Sequence, residues 1–198
     1  SYLHRLIRQG HKVAICETTE DPAEAKKRGA KSVVRREVVR LVTACTLTEE
    51  GLLEAGVNNY LAAFGQTRQE ENPALAWVDM STGDVQIFAG TFEAIQGRLA
   101  GLMPRELLLP DSLQPEKQGL LAESCGDVAV TELTTSQSNS ESGHTALVEA
   151  YQVKTLEGFG NWSRSMYAAG GSLINYLTLT QLGKLPNLKQ PRLMLADD

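Results

Sequence analysis

Apolar and polar positions recur along this chain at two periods, and each change of period marks a new element. Leu3, Leu6 and Ile7 fall at helical spacing and Gly10 follows, so residues 1–9 read as the end of a helix. "HKVAICE" predicts a short buried strand from Lys12 to Glu17. "DPAEAKKRG" predicts a helix with Asp21 as N-cap, Pro22 at the first helical position and Gly29 at the stop. Val33 to Val42 is β-branched enough for a strand, yet it carries Arg35, Arg36 and Arg40. Helix, strand, helix, strand is the order of the tail of an α/β unit. "TLTEEGLLEAG" then turns the chain, with Thr46 or Thr48 capping a short helical turn.

Beyond it, Asn59 to Gln66 and Ala74 to Met80 read as strands around a polar hairpin loop, and Val85 to Gly90 as a third after the tight turn "STGD". Phe92 to Leu102 reads as a helix capped by Thr91, and Glu106 to Leu109 as a strand of the fully buried kind. "SLQPEKQGLLAE", with Asp111 as apparent cap, predicts a helix, and "DVAVTEL" a strand. Residues 134–143, "TTSQSNSESG", predict a flexible loop. A helix from Thr145 to Tyr151, a glycine-broken loop, a long helix from about Met166 to Gln181 and a proline-punctuated tail complete the chain. The pattern predicts an α/β fold: a mixed central sheet flanked by helices, preceded by the tail of a small α/β domain.

The 198 residues allow one large domain or two small ones, and no apolar run is long enough to span a bilayer. The first ten residues hold three basic groups and no continuous apolar core, so no signal peptide is expected. Opening without Met inside a helix predicts a piece of something longer. Charge is divided unevenly. Residues 1–43 carry ten Lys/Arg against five Asp/Glu, net +5, whereas residues 44–198 carry nine against nineteen, net −10. Only the first part is suited to a polyanion. Cys16, Cys45 and Cys125 form no CxxC pair, and His4, His11 and His144 are scattered. That argues against a zinc site or a disulfide framework and fits a reducing cytoplasm.

Among candidates for chemistry, Asp79 stands out in "WVDMSTGDV". A strand ending in Asp before a Ser/Thr/Gly turn occurs in ribonuclease-H-like nucleases and in actin-like ATPases. Two-metal hydrolysis needs several converging carboxylates, and only Asp84, Glu106 and Asp111 are near in sequence. The simpler reading is that Asp79 accepts hydrogen bonds from the Ser81–Gly83 turn. No phosphate loop or dinucleotide fingerprint exists. "AAGG" at 168–171 suits close helix packing. Regular alternation places Arg36 and Arg40 on one strand face, roughly 13 Å apart, a span that reaches two backbone phosphates. Equally, their stems can cover apolar surface while their heads stay wet, with Glu37 as a local ion partner.

Several stretches taken together resemble the MutS family of DNA mismatch-repair proteins. They are "YLHRLIRQGHKVAICETTEDPAEAK", "REVVRLVTACTLTEEGLL", "NNYLAAF", "VDMSTGDVQIF", "PRELLLP", "GFG" and "AAGGSLINYLTLTQLGKLPNL", in that order. The resemblance implies that residues 1–43 are the C-terminal part of a mismatch-recognition domain, 44–58 a junction and 59–198 a connector domain. The connector is ribonuclease-H-like without nuclease activity, which leaves this stretch with no catalytic residue, metal or cofactor. The family's ATP and Mg²⁺ belong to a domain beyond residue 198, and its mismatch-reading wedge precedes Ser1. Partners implied are mismatched double-stranded DNA, a MutL-type protein and a second copy of the full-length protein, with no membrane. Arg40 matches an arginine near the DNA backbone, and Arg36 and Arg35 match less closely. For the MutL-type partner the expected surface is His144, Thr145, Ala146 and Glu149. One departure is "VTACT", where the family usually has Thr-Pro-Gly-Thr. Ala44 and Cys45 there predict a looser junction.

Overall fold

Two sheets organise the chain. The structure, a computed structural model, describes residues 2–29, 31–46, 59–70, 72–183 and 185–195. The helical turn expected over "TLTEEGLLEAG", and most of the 44–58 junction, lie outside the described residues. The first sheet is an antiparallel ribbon of β1 (Val13–Thr18) and β2 (Arg36–Val42), preceded by α1 (Tyr2–Arg8), with α2 (Pro22–Lys27) between its strands. Val13, Ile15 and Val42 pack on Leu3 and Ile7 of α1. Only that side of β1 is covered, so the strand expected to be buried is largely exposed. The Asp21 carboxylate accepts the Ala23 N–H at 2.8 Å, as its capping position predicts.

Strand β2 begins at Arg36 instead of Val33. The preceding backbone is held elsewhere: the Arg35 N–H donates to the Glu20 carboxylate at 2.9 Å, and the Arg35 carbonyl accepts from Thr19 at 3.1 Å. Further along, Ile15 stands opposite Arg40 and Cys16 opposite Val38, so Val39 is an extra residue in a β-bulge.

The second sheet has six strands: β3 (Tyr60–Gly65), β4 (Ala74–Asp79), β5 (Val85–Ala89), β6 (Glu106–Pro110), β7 (Ala129–Leu133) and β8 (Arg192–Leu195). Their order is β7-β6-β3-β4-β5-β8, and β4 alone runs against the rest. This is the expected mixed sheet flanked by helices. Its apolar runs are continuous because both faces are covered. On one face α3 (Phe92–Leu102) and α4 (Pro115–Cys125) enclose Phe64, Leu75, Leu107 and Leu109 through Ile95, Leu99 and Leu121. On the other, α7 (Arg164–Thr180) brings Met166, Ala169, Leu173 and Leu177 onto Leu61, Ala76, Ile87 and Leu108.

Three local expectations are corrected. The polar stretch 134–143 is helical: α5 (Thr135–Ser138) opens on a Thr134/Gln137 capping box, and Asn139 caps α6 (Ser140–Tyr151). The Ser, Thr and Asn that read as a loop are serving as caps. Asp111 does not cap α4, whose N-cap is Gln114. The tail supplies β8, paired in parallel with β5.

Helix α7 is seated by glycines. A Cβ built on Gly171 would lie 2.0 Å from Gly143 Cα of α6, and one on Gly65 2.4 Å from the Ala169 backbone nitrogen. The expected close packing of "AAGG" is present. Its N-terminus is held from a distance by Glu70, whose carboxylate accepts the Arg164 and Ser165 N–H groups, each at 2.8 Å. Burial pushes this carboxyl up, but the two N–H donors outweigh it and hold it below the ordinary glutamate value. Its contribution is therefore complete above a pH of about 4.3 and is lost as pH falls through the lower folded value. Glu70→Gln is expected to cost about 1 kcal/mol at neutral pH, by analogy with other N-caps. In urea titrations the gap between the two proteins should narrow as the pH falls through that lowered folded value.

Candidate functional site

Glu106 opens β6 at 1% exposure, and it faces α7 because its pairing partner Leu61 does. A carboxyl in an otherwise apolar buried strand needs donors. It has three: the Tyr176 hydroxyl, the Thr131 hydroxyl at 2.9 Å and the Cys45 backbone N–H at 3.4 Å. Cys45 is anchored twice more, its thiol donating to the Tyr60 carbonyl at 3.1 Å and its carbonyl accepting from Asn59 at 3.0 Å. Thr46 closes the turn after β2, accepting the Thr43 N–H at 2.8 Å, while Arg40 Nη2 donates to the Thr46 carbonyl at 3.1 Å. The segment leaving the first sheet is thus pinned to three elements of the second unit: β3, β6 and α7.

The electrostatics keep these groups as donors. Burial, then the adjacent Glu106, holds the Tyr176 phenol well above its ordinary value. The same two causes raise the Cys45 thiol, so it is a protonated hydrogen-bond donor and no nucleophile. The looseness expected from Ala44 and Cys45 is not found at Cys45 itself, while most of the junction lies outside the described residues. Cys45 has its N–H, carbonyl and thiol all bonded. Among the described residues the non-glycine positions at positive φ are Met103, Gln152 and Leu182, so Cys45 needs no glycine-like backbone.

The bulge separates the arginines. Residues opposite one another across an antiparallel pair share a face. Arg40 therefore lies with Ile15 on the α1 side, and Arg36, opposite Thr18, lies with Val38 and Cys16 on the other. Arg36 and Arg40 do not share a face, and Arg40 is partly buried over the turn. Arg35 and Arg36 are exposed. Glu37 stands opposite Glu17. On α6, His144, Thr145 and Glu149 are exposed and Ala146 is half-buried. His144 meets Tyr167 edge-on at 5.0 Å, and Tyr167 stacks on Trp162 at 5.3 Å, so His144 adjoins an aromatic ledge.

Asp79 accepts the Ser81 N–H at 2.8 Å, and its carbonyl accepts from Gly83 at 2.8 Å, the turn role of the simpler reading. The other carboxylates do not converge on it. Asp79 pairs with Tyr60, on the face of α3 and α4, whereas Glu106 is on the α7 face. Asp84 pairs with Lys189 at 3.0 Å, and Asp111 lies beyond the far end of β6. Among the described residues no group of three or more His, Cys, Asp or Glu is placed to hold a metal ion. The arrangement does not favour a nuclease. Nor is any described helix long and apolar enough to cross a membrane.

The family pattern described as MutS domain II matches residues 59–189, and that of MutS domain I matches residues 1–51. The chain belongs to the MutS family. The DNA mismatch repair protein MutS of Cereibacter sphaeroides is 51% identical over 96% of this chain and 21% of its own length. That of Ruegeria pomeroyi is 47% identical over the whole chain and 22% of its own length. The chain thus spans about a fifth of these MutS relatives. A Thermus thermophilus RuvC structure overlaps 62% of this chain and 97% of its own at a TM-score of 0.39 and 10% identity, too distant to inform the site. Within the MutS frame, the buried junction is what reasoning along the sequence missed. Its signal was a single Glu in "ELLLP", a strand with no local partner for a carboxyl.

Proposed function

We propose that this chain is the non-catalytic connector of a MutS-type mismatch-repair protein. In this reading residues 1–43 close the mismatch-recognition domain, 44–58 form the junction and 59–198 the connector. The whole protein acts in the cytoplasm as a homodimer on mismatched duplex DNA, and ATP and Mg²⁺ serve a core beyond this chain. The observation that carries the reading is the Glu106 network, which fastens the segment after β2 to β3, β6 and α7. A rigid fastening lets a displacement of the recognition unit reach the sheet instead of being absorbed in a loop. In a full-length protein carrying this segment, Tyr176→Phe should leave mismatch affinity within about twofold, below roughly 0.5 kcal/mol. It should weaken the stimulation of ATP turnover by a mismatch. Unchanged stimulation in a properly folded variant would sink the coupling role.

Two surfaces accompany it. Arg36 and Arg35, exposed and basic, are suited to backbone phosphates, positioning a duplex without reading it. Arg40 holds the turn and orients that strand. Arg36→Ala in the full protein should lower the salt slope of DNA binding by about 0.9, the contribution of one phosphate contact. The MutL-type partner is assigned to His144, Thr145, Ala146 and Glu149, of which His144 stands against the aromatic ledge. Titrating this chain with the N-terminal domain of such a protein should give binding that Glu149→Lys weakens. Equal affinity in that variant would move the surface elsewhere.

A further inference from the structure

We propose that the cleft between α1 and the adjoining ends of β6 and β7 is a phosphate-binding site. It has a volume of about 570 Å³ and is lined by His4, Arg8 and Gln9 from the first unit, Ala44 from the turn, and Arg105 and Asp127 from the second. That volume admits a mononucleotide, or one backbone phosphate with its sugar. Among the described lining residues two arginines, Arg8 and Arg105, accompany one carboxylate, Asp127, although residues 44–198 carry a net charge of −10. Three exposed cations elsewhere are engaged: Arg28 with Glu20 at 2.6 Å, Lys27 with Glu24 at 2.6 Å and Lys189 with Asp84 at 3.0 Å. Arg8 and Arg105 have no side-chain hydrogen bond or ion pair among the described residues, and Asp127, in the same cleft, bridges neither. Two unengaged guanidinium forks across one cleft are donors arranged for an oxyanion, and their planar geometry suits phosphate better than a lysine would.

The cleft is distinct from the Arg35–Arg36 surface. Arg36 stands opposite Thr18 at one end of the ribbon, whereas Ala44 follows the other end, where Val42 stands opposite Val13. The free phosphate of a nucleotide and the phosphate of a DNA backbone present the same chemistry to it.

Titrating the ¹⁵N-labelled chain with inorganic phosphate at constant ionic strength should move the amides of Gln9, Gly10, Ala44 and Val128 in one saturable process. Arg105→Gln and Arg8→Gln should each raise the dissociation constant about tenfold, the loss of one charge-assisted contact. Asp127→Asn should lower it several-fold by removing the repelling charge. Parallel titrations with a 5′-mononucleotide and a short duplex separate the sources. Tighter binding of the mononucleotide assigns a free ligand, and tighter, salt-sensitive binding of the duplex assigns the backbone. Either supports the site. Absence of these shifts with millimolar phosphate, or shifts that persist in a folded Arg8→Gln/Arg105→Gln double variant, overturns it.

Discussion

Gly171→Ala is expected to destabilise the chain by about 3 kcal/mol, near the upper end for overpacking a tight interface. The new Cβ would lie 2.0 Å from Gly143 Cα and 2.8 Å from the Gly143 carbonyl oxygen, all of it backbone that no rotamer change can relieve. Helix α6 would have to lift from α7, and α7 also supplies one face of the sheet core. In a domain of this size, about 3 kcal/mol corresponds to a melting temperature lower by roughly 6–12 °C. Gly143→Ala meets the same contact from the other side, 2.1 Å from the Tyr167 carbonyl oxygen, and should behave alike. Thermal unfolding of both variants within about 2 °C of the parent, a shift worth under roughly 1 kcal/mol, would show that the helices separate easily.

Glu106→Ala is expected to cost about 3–5 kcal/mol, as breaking a buried network generally does. It leaves the hydroxyls of Tyr176 and Thr131 and the Cys45 N–H without their acceptor. Glu106→Gln retains an acceptor and should cost roughly half as much. The two variants also separate stability from fastening. In the alanine variant the Cys45 amide should exchange with solvent well before core amides such as Leu108 do, because its partner is gone. A urea midpoint unchanged by Glu106→Ala would mean that the three donors find other partners. A double-mutant cycle with Thr131→Val would then locate the lost coupling.

What could be read along the chain was whatever local chemistry determines. Asp21 with Pro22, Thr91 before Phe92, and the apolar runs of β3 to β6 declared themselves because caps and buried strands are short-range signals. The stretch 134–143 misled because Ser, Thr and Asn favour loops and helix caps alike, and only the Gln137 return bond distinguishes the two. Strand β8 could not be read locally, since four residues become a strand only by pairing with β5. The arginine faces were misjudged for a similar reason: one inserted residue, Val39, reverses the alternation beyond it. Asp79 was legible as a turn residue. Glu106 was visible as a carboxylate, but its partners at positions 45, 131 and 176 come together only in three dimensions.

The strand order also bears on how the protein is made. Strand β5 ends at Ala89, whereas its edge partner β8 begins only at Arg192. At bacterial or slower elongation rates the roughly one hundred intervening residues take about 5–20 s to synthesise. Throughout that interval the β5 edge, with Ile87 and Phe88 in it, is an open template for pairing with another nascent chain. The ribosome-bound intermediate is therefore the most aggregation-prone form of this sequence, and pausing upstream of Arg192 should lower its soluble yield.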